Sequence, residues 1–111
     1  MTSAAQPAAL GALAEQISRV SDIYAANYNI DRSGDWYLLK LQEEVGELTQ
    51  AYLAVTGRSR KPADDQARAH LAREMADVLG MLLLLARDED IDLDQAVQDK
   101  WLSWLDRESA S

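Results

Sequence analysis

Two short stretches of the chain share one pattern of apolar and acidic residues. Residues 41–48 read Leu-Gln-Glu-Glu-Val-Gly-Glu-Leu, and residues 71–78 read Leu-Ala-Arg-Glu-Met-Ala-Asp-Val. The acids at equivalent positions are Glu44 and Glu47 in the first copy and Glu74 and Asp77 in the second. Carboxylate oxygens are the ligands that Mg²⁺ prefers in proteins. The pattern therefore points to chemistry that uses a divalent cation.

Helical periodicity places the acids of both stretches beside an apolar stripe. If the first copy is a helix, Val45 and Leu48 lie within about 40° of Leu41 around its axis, and Glu44 lies about 60° to one side. Glu47 lies about 120° to the same side. The second copy has the same angles. The inner acid of each pair thus sits at the edge of the core, where a charge is costly to hold.

The two acidic flanks are expected to converge, because helices joined by a short loop pack antiparallel. Four carboxylates that meet without a cation repel one another, and their pKa values rise. A hard divalent ion removes that repulsion, and Mg²⁺ fits best, with Mn²⁺ as a possible substitute. The alternative is that both flanks are solvated faces of ordinary amphipathic helices, and periodicity leaves this alternative open.

The elements that must position these acids are four helices. The first is predicted from about Pro7 to Tyr28, the second from about Asp35 to Thr56 with Gly57 as its C-cap, and the third from near Pro62–Asp65 to near Arg87. The fourth carries Leu93, Val97, Trp101, Trp104 and Leu105, and Asp92 with Gln95 resembles a capping box at its start. Residues 1–8 are predicted to be a disordered tail, and residues 9–108 a single domain.

The expected fold is an all-α bundle of four main helices that assembles as a homo-oligomer, a dimer or a tetramer. The apolar stripe of the second helix comprises Leu38, Leu41, Val45, Leu48, Tyr52 and Val55. That of the third comprises Leu71, Met75, Val78, Leu82 and Leu85. Two such long stripes expose too much apolar surface for a comfortable monomer.

Composition excludes several classes of function. The 111 residues include 19 acidic and 11 basic side chains, a net charge of −8, which repels the phosphate backbone of duplex nucleic acid. The absence of cysteine excludes disulfides, zinc–thiolate sites and thiol catalysis, and a single histidine excludes a multi-histidine metal site within one chain. The longest apolar run, 75–86, is too short for a membrane span. No secretory signal is visible, so the expected location is the cytoplasm.

Further candidates surround the repeated acids. Glu43 lies away from the apolar stripe and can bind a further ion or hold the attacking water. Weaker candidates for contact with a phosphate or a nucleobase are Lys40, Arg58, Arg60, Lys61, Lys100 and Asn27. Each has an ordinary alternative: Lys40 can pair with Glu44, the basic loop can complement a helix dipole, and the tryptophans beside Lys100 can be core or subunit interface.

Two other metal sites are disfavoured by spacing. The acidic run that begins at Asp88 has Leu93 at the sixth position of an EF-hand loop, where glycine is needed, and Asp99 at the twelfth, where glutamate is usual. The sequence also contains no Glu-x-x-His pair, the motif of a ferritin-like di-iron site.

The order Glu43-Glu44-Val45-Gly46-Glu47, followed by Glu74-Met75-Ala76-Asp77-Val78, resembles the EExxE…ExxD signature of the MazG-like all-α nucleoside triphosphate pyrophosphohydrolases. The resemblance covers about residues 36–105. The 26 residues between the two halves of the signature fit one helix–loop–helix connection.

The resemblance implies a helical fold whose site is completed by oligomerisation. It implies Mg²⁺ held by Glu44, Glu47, Glu74 and Asp77, and hydrolysis of a nucleotide between its α- and β-phosphates, in nucleotide-pool house-cleaning. Glu43 matches the first acid of the signature, as an extra ligand or the general base, and Lys100 roughly matches a basic residue of the closing helix. The alternative function is a non-catalytic helical module that keeps the fold and binds a partner or a nucleotide.

Overall fold

Helices account for most of the residues that the computed structural model describes, 9–110. They are α1 (Ala9–Tyr28), α2 (Gly34–Val55), α3 (Asp65–Asp88), the short α4 (Leu93–Val97), a π-helical turn (Gln98–Leu102) and α5 (Ser103–Ala110). No strand occurs in this range, which confirms the predicted all-α class. The tail predicted for residues 1–8 lies outside the described residues. No helix in the described range is long and apolar enough to cross a lipid bilayer.

Each of the three long helices is followed, within two residues of its end, by a residue with positive φ. These residues are Asn29 (φ 54°), Gly57 (φ 76°) and Asp90 (φ 56°). In each case the next N–H reaches back to a carbonyl of the last turn: Ile30 N to Ala25 O at 3.0 Å, Arg58 N to Leu53 O at 2.8 Å, and Ile91 N to Ala86 O at 2.8 Å. These bonds satisfy carbonyls that the helix end leaves free. Gly57 stops α2 as predicted, but the C-cap itself is Thr56, and the glycine follows it.

Side-chain caps begin the helices that follow. Asp64 Oδ1 accepts from Ala67 N at 2.9 Å at the start of α3, and Asp92 Oδ1 accepts from Gln95 N at 3.0 Å at the start of α4. The capping box predicted at Asp92 is only half formed, because the Gln95 side chain donates forward to Asp99 Oδ1 at 2.9 Å. The fourth helix is also not continuous as predicted, since the π-helical turn interrupts it.

The antiparallel pair α2 and α3 makes the main interface of the fold, and α1 packs on α3 and α4. The core is small and rich in alanine and leucine. Leu83 is 2% exposed and Ala51 is 3% exposed. The remaining buried apolar residues are Ala14, Ala25, Tyr37, Ala54, Leu84 and Ala86.

The apolar stripe of α2 is not centred on the interface with α3. Leu41 and Leu48 are half-buried, whereas Leu38, Val45 and Tyr52, on the side of the stripe away from the acids, are exposed. Glu44 is less exposed than its neighbour Val45, which is the reverse of the predicted order. The physical reason is that α2 packs mainly against one helix, which covers only the acidic side of a wide stripe.

A carboxylate from the far end of the chain caps α1. Asp94 accepts hydrogen bonds from Leu10 N at 3.0 Å and from Gly11 N at 2.9 Å, across more than 80 residues of sequence. These two N–H groups belong to the first turn of α1, where no helical carbonyl can pair with them. The negative charge also complements the positive end of the helix dipole. Asp94 thereby ties α4 to the start of α1.

Replacement of Asp94 by alanine should therefore destabilise the protein by about 1 to 2 kcal/mol, the usual cost of losing a helix N-cap. The measurement is urea unfolding followed by far-ultraviolet circular dichroism. Asp106→Ala, at an exposed position of α5, is the matched control and should change the stability by less than about 0.5 kcal/mol. Equal effects of the two variants would show that Asp94 is not a tertiary cap.

Candidate metal centre

Three of the repeated acids meet where α2 faces α3. Glu44 comes from α2, and Glu74 and Asp77 come from successive turns of α3. One carboxylate oxygen from each lies within 4.8 Å of the other two. The matched register predicts that all four acids converge between an antiparallel pair; three of them do, and Glu47 lies outside this group. Their convergence distinguishes these three acids from those of an ordinary solvated helix face.

The cluster is buried in part, and two of its buried oxygens lack hydrogen-bond partners in the described part of the protein. Glu74 is 7% exposed and is the one buried charged residue of the described chain. Its Oε2 atom and that of Glu44 are both buried without a hydrogen-bond partner in the described part of the protein. His70 Nε2 approaches the other oxygen of Glu74 at 3.6 Å, beyond hydrogen-bond range. Buried carboxylate oxygens left in this way are costly, and a bound cation would satisfy them.

The electrostatics of Glu44 reflect the same crowding. The pKa of Glu44 is raised from its ordinary 4.5 to about 7, mainly by burial and in addition by the nearby carboxylates of Glu47, Asp77 and Glu74. Burial disfavours the charged form, and like charges oppose adding another. Glu44 thus carries a proton in part at neutral pH unless a cation replaces that proton.

The other acids of the first motif lie at the rim. Glu47 is exposed and lies outside the group of three, although its charge acts on Glu44. Glu43 is also exposed, and its two carboxylate oxygens each accept from Lys40 Nζ at 3.4 Å. The predicted pair between Lys40 and Glu44 is therefore wrong: the lysine turns to the acid three residues on.

A cleft of about 570 Å³ opens beside the cluster, between α1 and the α2–α3 pair. Glu44, Asp77 and Lys40 contribute to one part of its wall. The rest of its wall comprises Ile17, Val20, Ser21, Tyr24, Trp36, Ala76, Gly80, Met81 and Leu84. The cleft thus joins two carboxylates and a lysine to an apolar and aromatic surface. Trp36 and Tyr24 could not be assigned to this cleft from sequence, because neither belongs to the acidic motifs and the position of α1 depends on packing.

The remaining predicted substrate contacts are dispersed. Arg58 and Lys61 line a smaller pocket together with His70, whereas Arg60 does not line that pocket. Lys100 lines a separate surface pocket with two tryptophans. Asn27 is exposed on α1 and is absent from the wall of the cleft.

The raised pKa of Glu44 predicts how the stability of the metal-free protein depends on pH. An acid whose pKa is higher in the folded state binds more protons when folded, so stability falls as the pH rises between the two pKa values, here 4.5 and about 7. With a chelator present, Glu44→Gln should gain stability relative to the parent as the pH rises from 4.5 to 7. Thermal melts across this range measure the difference.

Glu43→Gln, which removes the neighbouring exposed charge, is the control and should follow the parent more closely. If Glu44→Gln and the parent lose stability in parallel across this range, Glu44 is not the group that titrates.

Comparison with known proteins gives one match. Residues 32–101, well over half of the chain, match the MazG nucleotide pyrophosphohydrolase domain. No curated protein and no solved structure matches. The matched range contains α2, α3 and α4 and all five acids of the two motifs, and such domains are typically dependent on a divalent metal. With its all-helical fold and its carboxylate cluster, this chain belongs to the MazG nucleotide pyrophosphohydrolase domain family.

Proposed function

We propose that this protein is a Mg²⁺-dependent nucleoside triphosphate pyrophosphohydrolase, which cleaves between the α- and β-phosphates and releases a nucleoside monophosphate and pyrophosphate. The observation that carries the proposal is the meeting of Glu44, Glu74 and Asp77 within 4.8 Å between two helices. Membership of the family supports this reaction class.

The residues of the cluster fit a hard divalent cation. Glu44, Glu74 and Asp77 would hold it, with Glu47 at the rim as a further ligand. Two buried carboxylate oxygens without partners support this assignment, because each is a ligand atom that the protein itself leaves free. When bound, the ion supplies charge neutralisation for the phosphates and lowers the pKa of a coordinated water.

The groups of this chain that face the cleft would bind and orient the substrate. Trp36 and Tyr24 offer flat apolar surfaces for a nucleoside, and Lys40 offers a positive charge near the carboxylates. Binding in this orientation places the α-phosphate near Glu44 and Asp77, which share the cleft wall.

A carboxylate is also the proposed proton acceptor. Glu44 is favoured over Glu43 because Glu44 lines the cleft, whereas Glu43 is exposed and paired with Lys40. Glu43 would then act as a positioning residue that holds the lysine.

We further propose that the protein acts as a homo-oligomer, formed through the uncovered side of α2 and α3. On α2 the exposed residues Leu38, Val45 and Tyr52 recur every seven positions, the spacing of a helix–helix seam. On α3 the exposed residues are Met75, Leu79 and Leu82. In a dimer with two-fold symmetry, the exposed faces of α2 and α3 would pack against the same faces of the second chain and form a four-helix bundle. One interface would then bury identical surfaces on both chains.

Replacement of Glu74 by glutamine should abolish the proposed activity. The amide keeps the shape of the side chain but removes one charge of the cluster, so we expect kcat/KM to fall by roughly 100-fold or more, the scale for losing one electrostatic stabiliser. The assay is pyrophosphate release from a panel of ribo- and deoxyribonucleoside triphosphates with Mg²⁺ or Mn²⁺. Mg²⁺ should also raise the melting temperature of the parent but not of the variant.

Glu89→Gln, at the exposed C-cap of α3, should behave as the parent in both measurements. Release of pyrophosphate from none of the nucleotides by the parent would overturn the hydrolase proposal and leave a non-catalytic module.

Substitution of Leu38 by glutamate should shift the assembly toward monomers, because burying a charge in an apolar seam is unfavourable. Sedimentation velocity over a range of protein concentrations measures the distribution. Leu39→Glu makes the same change at an exposed position that lies about 100° around α2 from Leu38, and it should leave the assembly intact. A parent that sediments as a monomer at every concentration would refute the proposed interface.

A further inference from the structure

A small pocket of about 210 Å³ lies at the end of the α2–α3 pair, beside the loop that joins the two helices. Its polar wall comprises Gln50, Arg58, Ser59, Lys61 and His70, and its apolar wall comprises Ala51, Leu53 and Ala54. Three of these side chains are basic, in a chain whose net charge is −8. The pocket therefore concentrates positive charge on a molecule that is otherwise acidic.

The loop is shaped by its own hydrogen bonds. The turn at Gly57 reverses the chain, and Arg58 Nε then donates to Thr56 Oγ1 at 3.1 Å. The guanidinium of Arg58 also stands 5.6 Å from the centre of the Tyr52 ring. Lys61 N donates to Ser59 Oγ at 3.1 Å. The first two contacts hold the Arg58 side chain beside the pocket before any ligand arrives, and the last one holds the backbone at Lys61.

Neither Arg58 nor Lys61 forms an ion pair within the described residues. Lys40 pairs with Glu43, and Arg87 pairs with Glu15. The two cations of the pocket thus differ from several others on this surface in having no internal acid to neutralise them. They are available to an external anion.

The pocket adjoins the carboxylate cluster. His70 lines the pocket, and its Nε2 atom lies 3.6 Å from Glu74 Oε1. His70 precedes Glu74 by four residues on α3, slightly more than one helical turn, which is a rise of about 6 Å. In the opposite direction along α3, Asp77 and Gly80 line the cleft. The three features therefore follow one another along α3 in the order cleft, carboxylates, basic pocket.

We propose that this pocket binds the β- and γ-phosphates of a nucleoside triphosphate, and hence the pyrophosphate that is released. This inference rests on the proposed function and adds the orientation of the bound substrate. The nucleoside lies in the cleft, the α-phosphate lies at the carboxylates, and the terminal phosphates lie toward the loop. Arginine and lysine donate charge-assisted hydrogen bonds to phosphate oxygens. The rise along α3 between Glu74 and His70 is also comparable with the length of three linked phosphates.

The pocket would distinguish substrate from product. A triphosphate would contact both the carboxylate centre and the basic pocket, whereas the monophosphate product would contact only the first. Loss of the bond between the α- and β-phosphates then separates the two groups of contacts, so neither product keeps the full set.

Charge removal at the pocket tests the proposal. The variants are Arg58→Gln and Lys61→Gln, both at exposed loop positions, and Arg68→Gln serves as the matched control because it is exposed on α3 and lies outside the pocket wall. Calorimetry gives the Kd for pyrophosphate with Mg²⁺ and for a nucleoside monophosphate, and the pyrophosphate-release assay gives KM. Melting temperatures verify that each variant is folded.

Arg58→Gln and Lys61→Gln should each weaken pyrophosphate binding by roughly 10-fold or more, the usual effect of losing a hydrogen bond to a charged group. The KM for the triphosphate should rise with it, and monophosphate binding should stay within about 2-fold of the parent, because the monophosphate does not reach the pocket. Arg68→Gln should change none of these values by more than about 2-fold.

Equal effects of all three variants would show that pyrophosphate binding depends only on the overall charge of the protein, and this would overturn the proposal. Hydrolysis with the same KM in Arg58→Gln and Arg68→Gln would also overturn it, while the proposed function would stand. A parent that hydrolyses no nucleotide but binds pyrophosphate through Arg58 would support the pocket and refute the hydrolase. A parent that does neither would refute both.

Discussion

The structure depends on placing carboxylates inside the contact between two helices. The side of α2 that packs on α3 carries Glu44 in the middle of its length, and Glu74 faces it from α3 with 7% exposure. A helix pair normally fills such a contact with apolar side chains, so this one gives up packing energy and gains a site of concentrated negative charge. A divalent cation bound there would join the two helices and remove the repulsion between their acids.

The same choice of packing side leaves the molecule with uncovered apolar surface. Because the acidic flank faces α3, the other flank, with Leu38, Val45 and Tyr52, faces away from it. The stripe of α2 is therefore wider than the contact with α3, and the proposed homo-oligomer would cover the part that α3 leaves exposed. The candidate site and the proposed assembly would be connected in this way, since the rotation of α2 that buries Glu44 also exposes Leu38, Val45 and Tyr52.

The helix pair also arranges three chemically different surfaces in order along α3. Asp77, Glu74 and His70 follow one another on successive turns of α3, and each meets a different surface: an apolar and aromatic cleft, the carboxylate cluster, and the basic pocket. The chemistry changes from apolar to acidic to basic over about two turns. This gradient suits a ligand with a nucleoside at one end and phosphates at the other.

Much of this was predictable from sequence, because it depends on local chain chemistry. Apolar periodicity and capping residues such as Gly57 and Asp64 give the number of helices and most of their ends, and the matched spacing of the acids gives their shared flank, since a helix turns by the same angle at every residue. Only the tertiary structure decided three features. They are the rotation of α2 against α3, the presence of Trp36 in the cleft, and the fact that Arg58 lines the basic pocket whereas Arg60 does not. They depend on how neighbouring helices and a turn pack in space, and the spacing of residues along one helix carries no information about that.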